Sequence, residues 1–415
     1  MNVLASALKA AQNWRTPATQ LIDARKLAAE MPDAVLLAAA DAYFAGLTVQ
    51  SEQCLKPFSN VRDAIHITRN LSLLLDAADL FPGCDVVDFG CATGWLTLGL
   101  AQMGCTATGV DISPAALALA AQLQERTQPR PPGAAAFLVY DGHRLPLDNA
   151  SVDRVLCFDS FHHVKDQEAT LAEFARVLRP GGRVVMLEPG PRHSITEKSQ
   201  EEMTRYKVIE NDIAMHTISA LSVKAGLSKP QMLVQLQAPV RMDVDEFLDW
   251  SSSTGASHPL ASGVVSQLHR QLTDTQCFYA VKPGSAGVDS RHAGELGAEL
   301  TLVSSTATGA GSWEMSFTAL NTGTAAWITE GGRIGQVSLG CQRVDRAGAV
   351  MQVDFMRFPI EQVEPVMPGT SVTFNVVVPE PQAGEGYRFE LVAEHVAWFA
   401  AVNGNRPVNW WAAQA

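Results

Sequence analysis

The residues best placed to do chemistry are acids that close one apolar run after another. Asp88 ends Val86-Val87-Asp88, Asp111 ends Thr108-Gly109-Val110-Asp111, and Asp141 follows Val139-Tyr140. Asp159 follows Val155-Leu156-Cys157-Phe158, and Glu188 closes the run from Arg183 to Leu187. Carboxylates in such a series accept hydrogen bonds from hydroxyls and attract cations; they repel phosphate. Proton-moving residues lie among them. His162 and His163 stand just past the fourth run, His143 follows the third and His193 the fifth. Imidazole titrates near neutrality, so each is a candidate general base.

Acids at successive strand ends meet only if the strands are parallel neighbours in one sheet. Val86-Val87-Asp88-Phe89 reads as a strand that runs into the turn Gly90-Cys91-Ala92-Thr93-Gly94, and apolar residues then recur at helical spacing (Leu96, Leu100, Ala101). Strand, glycine turn and helix start make the ligand-binding corner of a doubly wound α/β sheet. Asp111 stands about 20 residues further on, where an acid meets ribose hydroxyls. The glycines do not fit G-x-G-x-x-G, and Asp88 would repel a pyrophosphate, so a cationic ligand suits the turn better. Further strands are expected over Ala136 to Tyr140, Val152 to Phe158 and Arg183 to Leu187. A helix is expected from Gln167 to Leu178, stopped by Arg179-Pro180-Gly181-Gly182.

The pattern Asp88-x-Gly90-x-x-x-Gly94, with Asp111, Asp141-Gly142 and Arg176-Val177-Leu178-Arg179-Pro180-Gly181-Gly182, resembles the class I S-adenosylmethionine-dependent methyltransferases over about Leu80 to Pro283. The resemblance implies an α/β fold with a doubly wound, mostly parallel seven-stranded sheet, and S-adenosyl-L-methionine as cofactor. It assigns Asp88, Gly90, Ala92 and Gly94 to the methionyl end, Asp111 with Ile112 to the ribose, and Asp141 with Gly142 to the adenine, and Asp159 is counted with them as cofactor-binding. For a hydroxyl acceptor, His162 or His163 is the expected base, His162 being put first. Asp159 and Glu188 could instead hold Mg²⁺; the expectation is metal-independent transfer, with one acid near the methionyl amine and the other capping backbone N–H groups.

Residues 1–79 read as a helical cap over the cofactor, from which Tyr43, Phe44, Lys56 and Phe58 are candidates to select the acceptor. Arg192, His193 and Tyr206, on the polar segment after the fifth run, are candidates to reach it. Gln231 to Gln237 and Cys277 to Val281 should form the antiparallel edge of the sheet, so the catalytic unit is placed at 80–283. The stretch 284–296, rich in Gly, Ser and charge, reads as a linker. Over 297–415, alternating runs separated by Asn-Thr-Gly, Gly-Gly and Pro-Gly turns predict an antiparallel β-sandwich. Asn321-Thr322-Gly323-Thr324-Ala325-Ala326-Trp327, Pro368-Gly369 and His395-Val396-Ala397-Trp398-Phe399 resemble the immunoglobulin-like modules of bacterial surface-polysaccharide enzymes. Trp313, Trp327 and Trp398 are expected in its core, Trp410 and Trp411 at its surface.

A net charge of −12 over 415 residues argues against nucleic acid and anionic membranes. No run is long enough to span a membrane and no leader opens the chain, so a cytoplasmic location is expected. Seven scattered cysteines indicate neither a disulfide framework nor a zinc site. The expected partner is a small-molecule or glycan acceptor, and the sandwich could dock on a glycosyltransferase assembly. A lipid, quinone or secondary-metabolite acceptor is the alternative.

Overall fold

The computed structural model describes residues 21–127, 133–235, 242–252, 263–266, 268, 274–285, 287–309 and 311–412. A seven-stranded sheet forms the middle of the molecule. Its strands are β1 (Asp85–Phe89), β2 (Thr106–Asp111), β3 (Ala134–Val139), β4 (Val152–Phe158), β5 (Leu178–Pro189), β6 (Gln231–Leu233) and β7 (Thr275–Val281). They lie in the order β3-β2-β1-β4-β5-β7-β6. The first five are parallel, and β7 pairs antiparallel with both β5 and β6. β5 begins earlier than expected and takes in Pro180 to Gly182, while β6 is shorter than expected. The expected strand residues 236 and 237, and about half of the stretch 243–272 expected to be mostly helical, lie outside the described residues.

Strands β1 and β4 are buried on both faces, which is why their sequences are near-continuous apolar runs rather than alternating ones. One core holds Val87, Val110, Val155, Phe161, Phe174 and Phe278 against one face; another packs Leu73, Leu74, Leu100, Val86 and Leu187 against the other. Strand order reverses between β1 and β4, and the ligand crevice of such sheets opens above the carboxyl ends there.

Helices α1 (Ala24–Glu30), α2 (Asp33–Ala45) and α3 (Val61–Ala78) form the cap, with a short 3₁₀ turn at Glu52–Leu55. The cap is tied over the strand ends by its acids. Asp33 accepts from Lys165 Nζ (2.5 Å) and meets His143 Nε2 (3.1 Å). Asp41 Oδ1 accepts from Ser113 Oγ and the Ala115 N–H, capping helix α4 (Pro114–Thr127) from outside. The expected helical character of residues 1–20 falls outside the described residues.

The C-terminal part is an antiparallel β-sandwich. One sheet contains β8 (Ala298–Thr308), β9 (Ser312–Asn321) and β12 (Ser371–Pro379); the other contains β10 (Val337–Asp345), β11 (Val350–Pro359), β13 (Glu385–Ala393), β14 (Ala397–Trp398) and β15 (Val408–Trp410). Both enclose one core around Phe317, Trp327, Phe389 and Phe399. Trp327 is fully buried as expected. Trp410 is not the surface residue expected: its ring stacks on Tyr387 and meets Trp313 edge-on at 4.8 Å. Trp411 keeps about two-fifths of its surface exposed.

The stretch 284–296 is not the open spacer its composition suggested. Ser290 is fully buried and donates to Gly335 O at 2.6 Å. Arg291 is buried against the floor of the main sheet, where it donates to Gly83 O and Asp153 Oδ2. Gly83 lies so close to Ile334 of the sandwich that a Cβ there would stand 2.7 Å from the Ile334 Cβ. The polar, Gly-containing sequence marks a docking segment because its one arginine finds buried acids on the other unit.

Candidate functional site

The crevice sits where the topology requires, over the carboxyl ends of β1, β4 and β5. Its volume is about 170 Å³ and its walls include Asp88, Gly90, Ala92, Trp95, Asp159 and Lys56. The turn after β1 takes left-handed backbone at Gly90 (φ 68°), Ala92 (φ 49°) and Gly94 (φ 77°). At Gly90 the close neighbour is the protein itself: a Cβ would lie 2.6 Å from that of Ser160. The turn's amides are spent internally. Gly90 and Cys91 donate to Val110 O, Ala92 donates to Asp111 Oδ2 and Gly94 to Cys91 O. A pyrophosphate would therefore find few donors here, whereas a sulfonium or ammonium finds the carboxylates of Asp88 and Asp159. The donor set fits the zwitterionic, cationic cofactor implied by the strand-end acids.

Asp88 is buried. Desolvation lifts its pKa to about 7, although Thr97 Oγ1 donates to it at 2.7 Å. Asp111 accepts from the Ala92 and Ser113 N–H groups, one on each oxygen, leaving lone pairs for a ligand hydroxyl; burial raises its pKa and those N–H groups oppose the rise. Ile112 packs on the core beneath. Asp141 is exposed and accepts from the N–H groups of Arg144 and His143, which hold it below the usual carboxylate range. Gly142 (φ 87°) is open to solvent.

Next to the crevice lies a cluster that no local motif announces. Glu188 is fully buried and saturated. Its Oε1 accepts from the Ser160 and Phe161 N–H groups, and its Oε2 from the His162 N–H and Nδ1 (2.8 Å). It is thus a cap for the 3₁₀ turn Phe161–His163, and its carboxylate also lies within 4.8 Å of ligand atoms of Asp159 and His162, a grouping that could hold a metal ion. Asp159 points outward from left-handed backbone (φ 55°); desolvation opposes its charge, and His162, His163 and Lys56 outweigh it. Burial disfavours the His162 imidazolium, but the hydrogen bond and charge of Glu188 overcome it and raise its pKa to about 9. His162 therefore carries its proton at neutral pH and has no lone pair with which to take another. The sequence put His162 ahead of His163 as candidate base; the proton held by His162 favours the reverse order.

His163 is the opposite case. Desolvation and the positive His162 beside it, ring centres 3.9 Å apart, hold its pKa below the usual range. Its Nδ1 donates to Ile209 O at 2.8 Å, so Nε2 is the accepting nitrogen. His193 Nε2 lies 2.6 Å from Glu210 Oε2. Burial opposes the Glu210 charge, yet the three histidines bring its pKa down to about 2. Glu210 was not singled out from sequence; the available signal was one charge set among apolar residues in Val208-Ile209-Glu210-Asn211-Asp212-Ile213.

Of the acceptor candidates, Tyr43 and Tyr206 come together, ring centres 5.4 Å apart, where the cap meets helix α5 (Glu197–Tyr206). Phe58 is largely exposed and Arg192 is exposed beside His193.

Residues 87–186 match a family model described as a methyltransferase domain. An uncharacterized 37.1 kDa protein in transposon TN4556 of Streptomyces fradiae is 31% identical, over 39% of this chain and 48% of that one. The O-methyltransferase cnsE of Penicillium expansum is 33% identical, over 29% and 43%. The chain spans about half the length of these curated relatives. Among solved structures, a phosphoethanolamine N-methyltransferase of Haemonchus contortus is 23% identical, covers 52% of this chain and 53% of that one, and superposes with a TM-score of 0.38, too loose a likeness to bear on function. Residues 87–186 form a methyltransferase domain, and the cofactor of that domain is S-adenosyl-L-methionine.

Proposed function

We propose that the protein transfers a methyl group from S-adenosyl-L-methionine to a hydroxyl of a small-molecule or glycan-type acceptor, with His163 as the base. The observation that carries this reading is the split between adjacent histidines. His162 is locked as a cation by Glu188, while His163 keeps a neutral ring with its accepting nitrogen unspent. When bound, the cofactor supplies a methyl carbon made electrophilic by its sulfonium. The chain's share is to hold the donor through Asp88, the 90–94 turn, Asp111 and Asp141, to bring the acceptor oxygen in line, and to take its proton at His163 Nε2. The imidazolium of His162 stabilises negative charge as it grows on the acceptor oxygen. The boundaries 1–79, 80–283 and 297–415 belong to the same proposal.

The immunoglobulin-like resemblance supports a glycan-related role, such as surface-polysaccharide biosynthesis. The sandwich docks at the start of β1, through Gly83 and the Asp85–Asp153 pair, at the far end of the strands from the crevice. That distance, roughly 15 Å for a five-residue strand, favours a role in holding a partner or a long acceptor, or in docking on a glycosyltransferase assembly, over lining the reaction pocket. A second reading, a lipid- or quinone-like acceptor, is supported by Phe58, Val61 and Ile65. All three are exposed on the segment between the crevice residues Lys56 and His66.

Mass spectrometry of sugar, polyketide and quinone acceptors incubated with the donor separates these readings. Gain of one methyl on a hydroxylated acceptor is the expected result. Methylation at carbon or nitrogen only would overturn the base assignment.

A further inference from the structure

S-Adenosylmethionine carries an ammonium, a sulfonium and a carboxylate within one short chain, so a crevice that holds it must sort charges of both signs. The acids of this crevice answer only the cations. Asp88 and Asp159 both face it, Glu188 lies behind them, and each repels a carboxylate. Among the residues lining the crevice there is one lysine and no arginine. That lysine, Lys56, comes from the cap, not from the sheet.

Lys56 is held at the crevice by its neighbours in the chain. It follows the 3₁₀ turn Glu52–Leu55 directly. Thr93 Oγ1, in the glycine turn, donates to Gln53 O at 2.8 Å, and Gln53 Nε2 donates to Tyr43 Oη at 3.2 Å. Cys54, within the 3₁₀ turn, is buried. The cap is thereby pinned to the turn that cradles the donor, and the next side chain enters the crevice. Among the described residues no hydrogen bond or ion pair holds the Lys56 ammonium. The charges that act on it from further off are Asp159 and Asp63, which favour it, and Lys198, which does not. Removing a lysine from water without a close partner is unfavourable, and burial does lower its pKa. An anion arriving with a ligand would relieve that.

Resting on the S-adenosylmethionine reading above, we propose that Lys56 receives the α-carboxylate of the donor, opposite the acids that receive its cations, so that donor and cap close on each other. Lys56 is then a positioning residue: it fixes the amino-acid tail and, through it, the direction of the sulfonium methyl.

The test is calorimetric titration of the full chain with S-adenosylmethionine and with its decarboxylated form, which lacks only the carboxylate. The wild-type protein is expected to prefer the intact donor. Lys56→Met should weaken the intact donor by about tenfold or more, the scale of a charge-assisted hydrogen bond, while the decarboxylated form binds as well as before or better. Lys56→Arg should restore most of the preference. Equal loss for both compounds, or no loss for either, overturns the proposal; so does an unchanged donor affinity with a raised KM for an acidic acceptor. If the wild-type protein binds neither compound, the cofactor reading itself fails. The decarboxylated form also reports whether Lys56→Met remains folded.

Discussion

Two buried clusters of charge lie at opposite ends of the same sheet, and they follow different rules. At the floor, Arg291 donates to Asp153, Asp289 and Gly83 O, while Arg179 bridges Asp85 and Asp153 at 2.8 Å each. Burial opposes the charges of Asp289, Arg291 and Arg179, yet the pairings win: Asp289 is held well below the carboxylate range and both arginines above their own. At the crevice, neighbours are driven apart instead. His162 rises while His163 falls; Glu210 falls while Glu202 beside it rises, its own burial and the Glu210 charge both acting that way. A network of mutually bonded acids and arginines is built to hold. Groups pushed apart in proton affinity suit the proton transfer proposed for this end.

The largest expected effect comes from breaking the floor. Arg291→Ala leaves Asp153 and Asp289 short of their shared partner and unlocks the sandwich. Unfolding in urea should show a loss of about 3–5 kcal/mol, the range for breaking a buried pair. Donor affinity should hardly move, since the crevice lies at the other end. A loss of donor binding equal to the loss of stability would show that the two ends are not separate devices.

At the crevice the informative comparison is between adjacent histidines. His163→Ala should lower the single-turnover rate by about a hundredfold or more with donor affinity unchanged, as expected for removal of a general base. His162→Ala should also disturb donor and acceptor binding, because Glu188 then lies buried with one partner lost. Equal rates for wild type and His163→Ala would return the base role to another group, with His193 next in line.

This contrast also marks what the sequence could show. The half of the site proposed to hold the donor was legible because its parts are local: a strand, a turn and an acid within about ten residues, then a second acid at the next strand end. Parallel strands buried on both faces make that pattern unambiguous, and Asp88, Asp111 and Asp141 stand at the strand ends where it put them. The acceptor half is assembled from afar. Tyr43 meets Tyr206, His193 meets Glu210, and His163 gains its tautomer from Ile209 O. No periodicity encodes such meetings. The same limit explains the stretch 284–296, where Ser, Gly and charge are the composition of a spacer. Only the fold shows that Arg291 has acids waiting 138 residues away.

A smaller effect is expected at the ribose position. Asp111→Ala should weaken donor binding by about 1–3 kcal/mol, the cost of leaving hydroxyls unmet. The variant also frees the Ala92 N–H, so part of that loss is a looser turn. Asp111→Asn, which can keep one acceptor, should recover part of it. If calorimetry shows no change for either variant, the donor does not lie along β2.

The smallest effect tests whether Asp88 belongs to the holding or the responsive kind of group. Its folded pKa of about 7 lies above the ordinary 3.8. Its contribution to stability is therefore full below about pH 3.8 and is lost as pH climbs through 7. A bound cation reverses the preference by favouring the carboxylate, so donor binding should expel a proton. Donor affinity should then rise between pH 5.5 and 7.5, by at most about tenfold per unit, the limit for release of one proton. Asp88→Asn should flatten that slope and make the donor-free protein more stable at pH 8. A slope that survives the substitution would transfer the titration to another crevice group, and Asp88 would then join Asp111 as a brace for the turn.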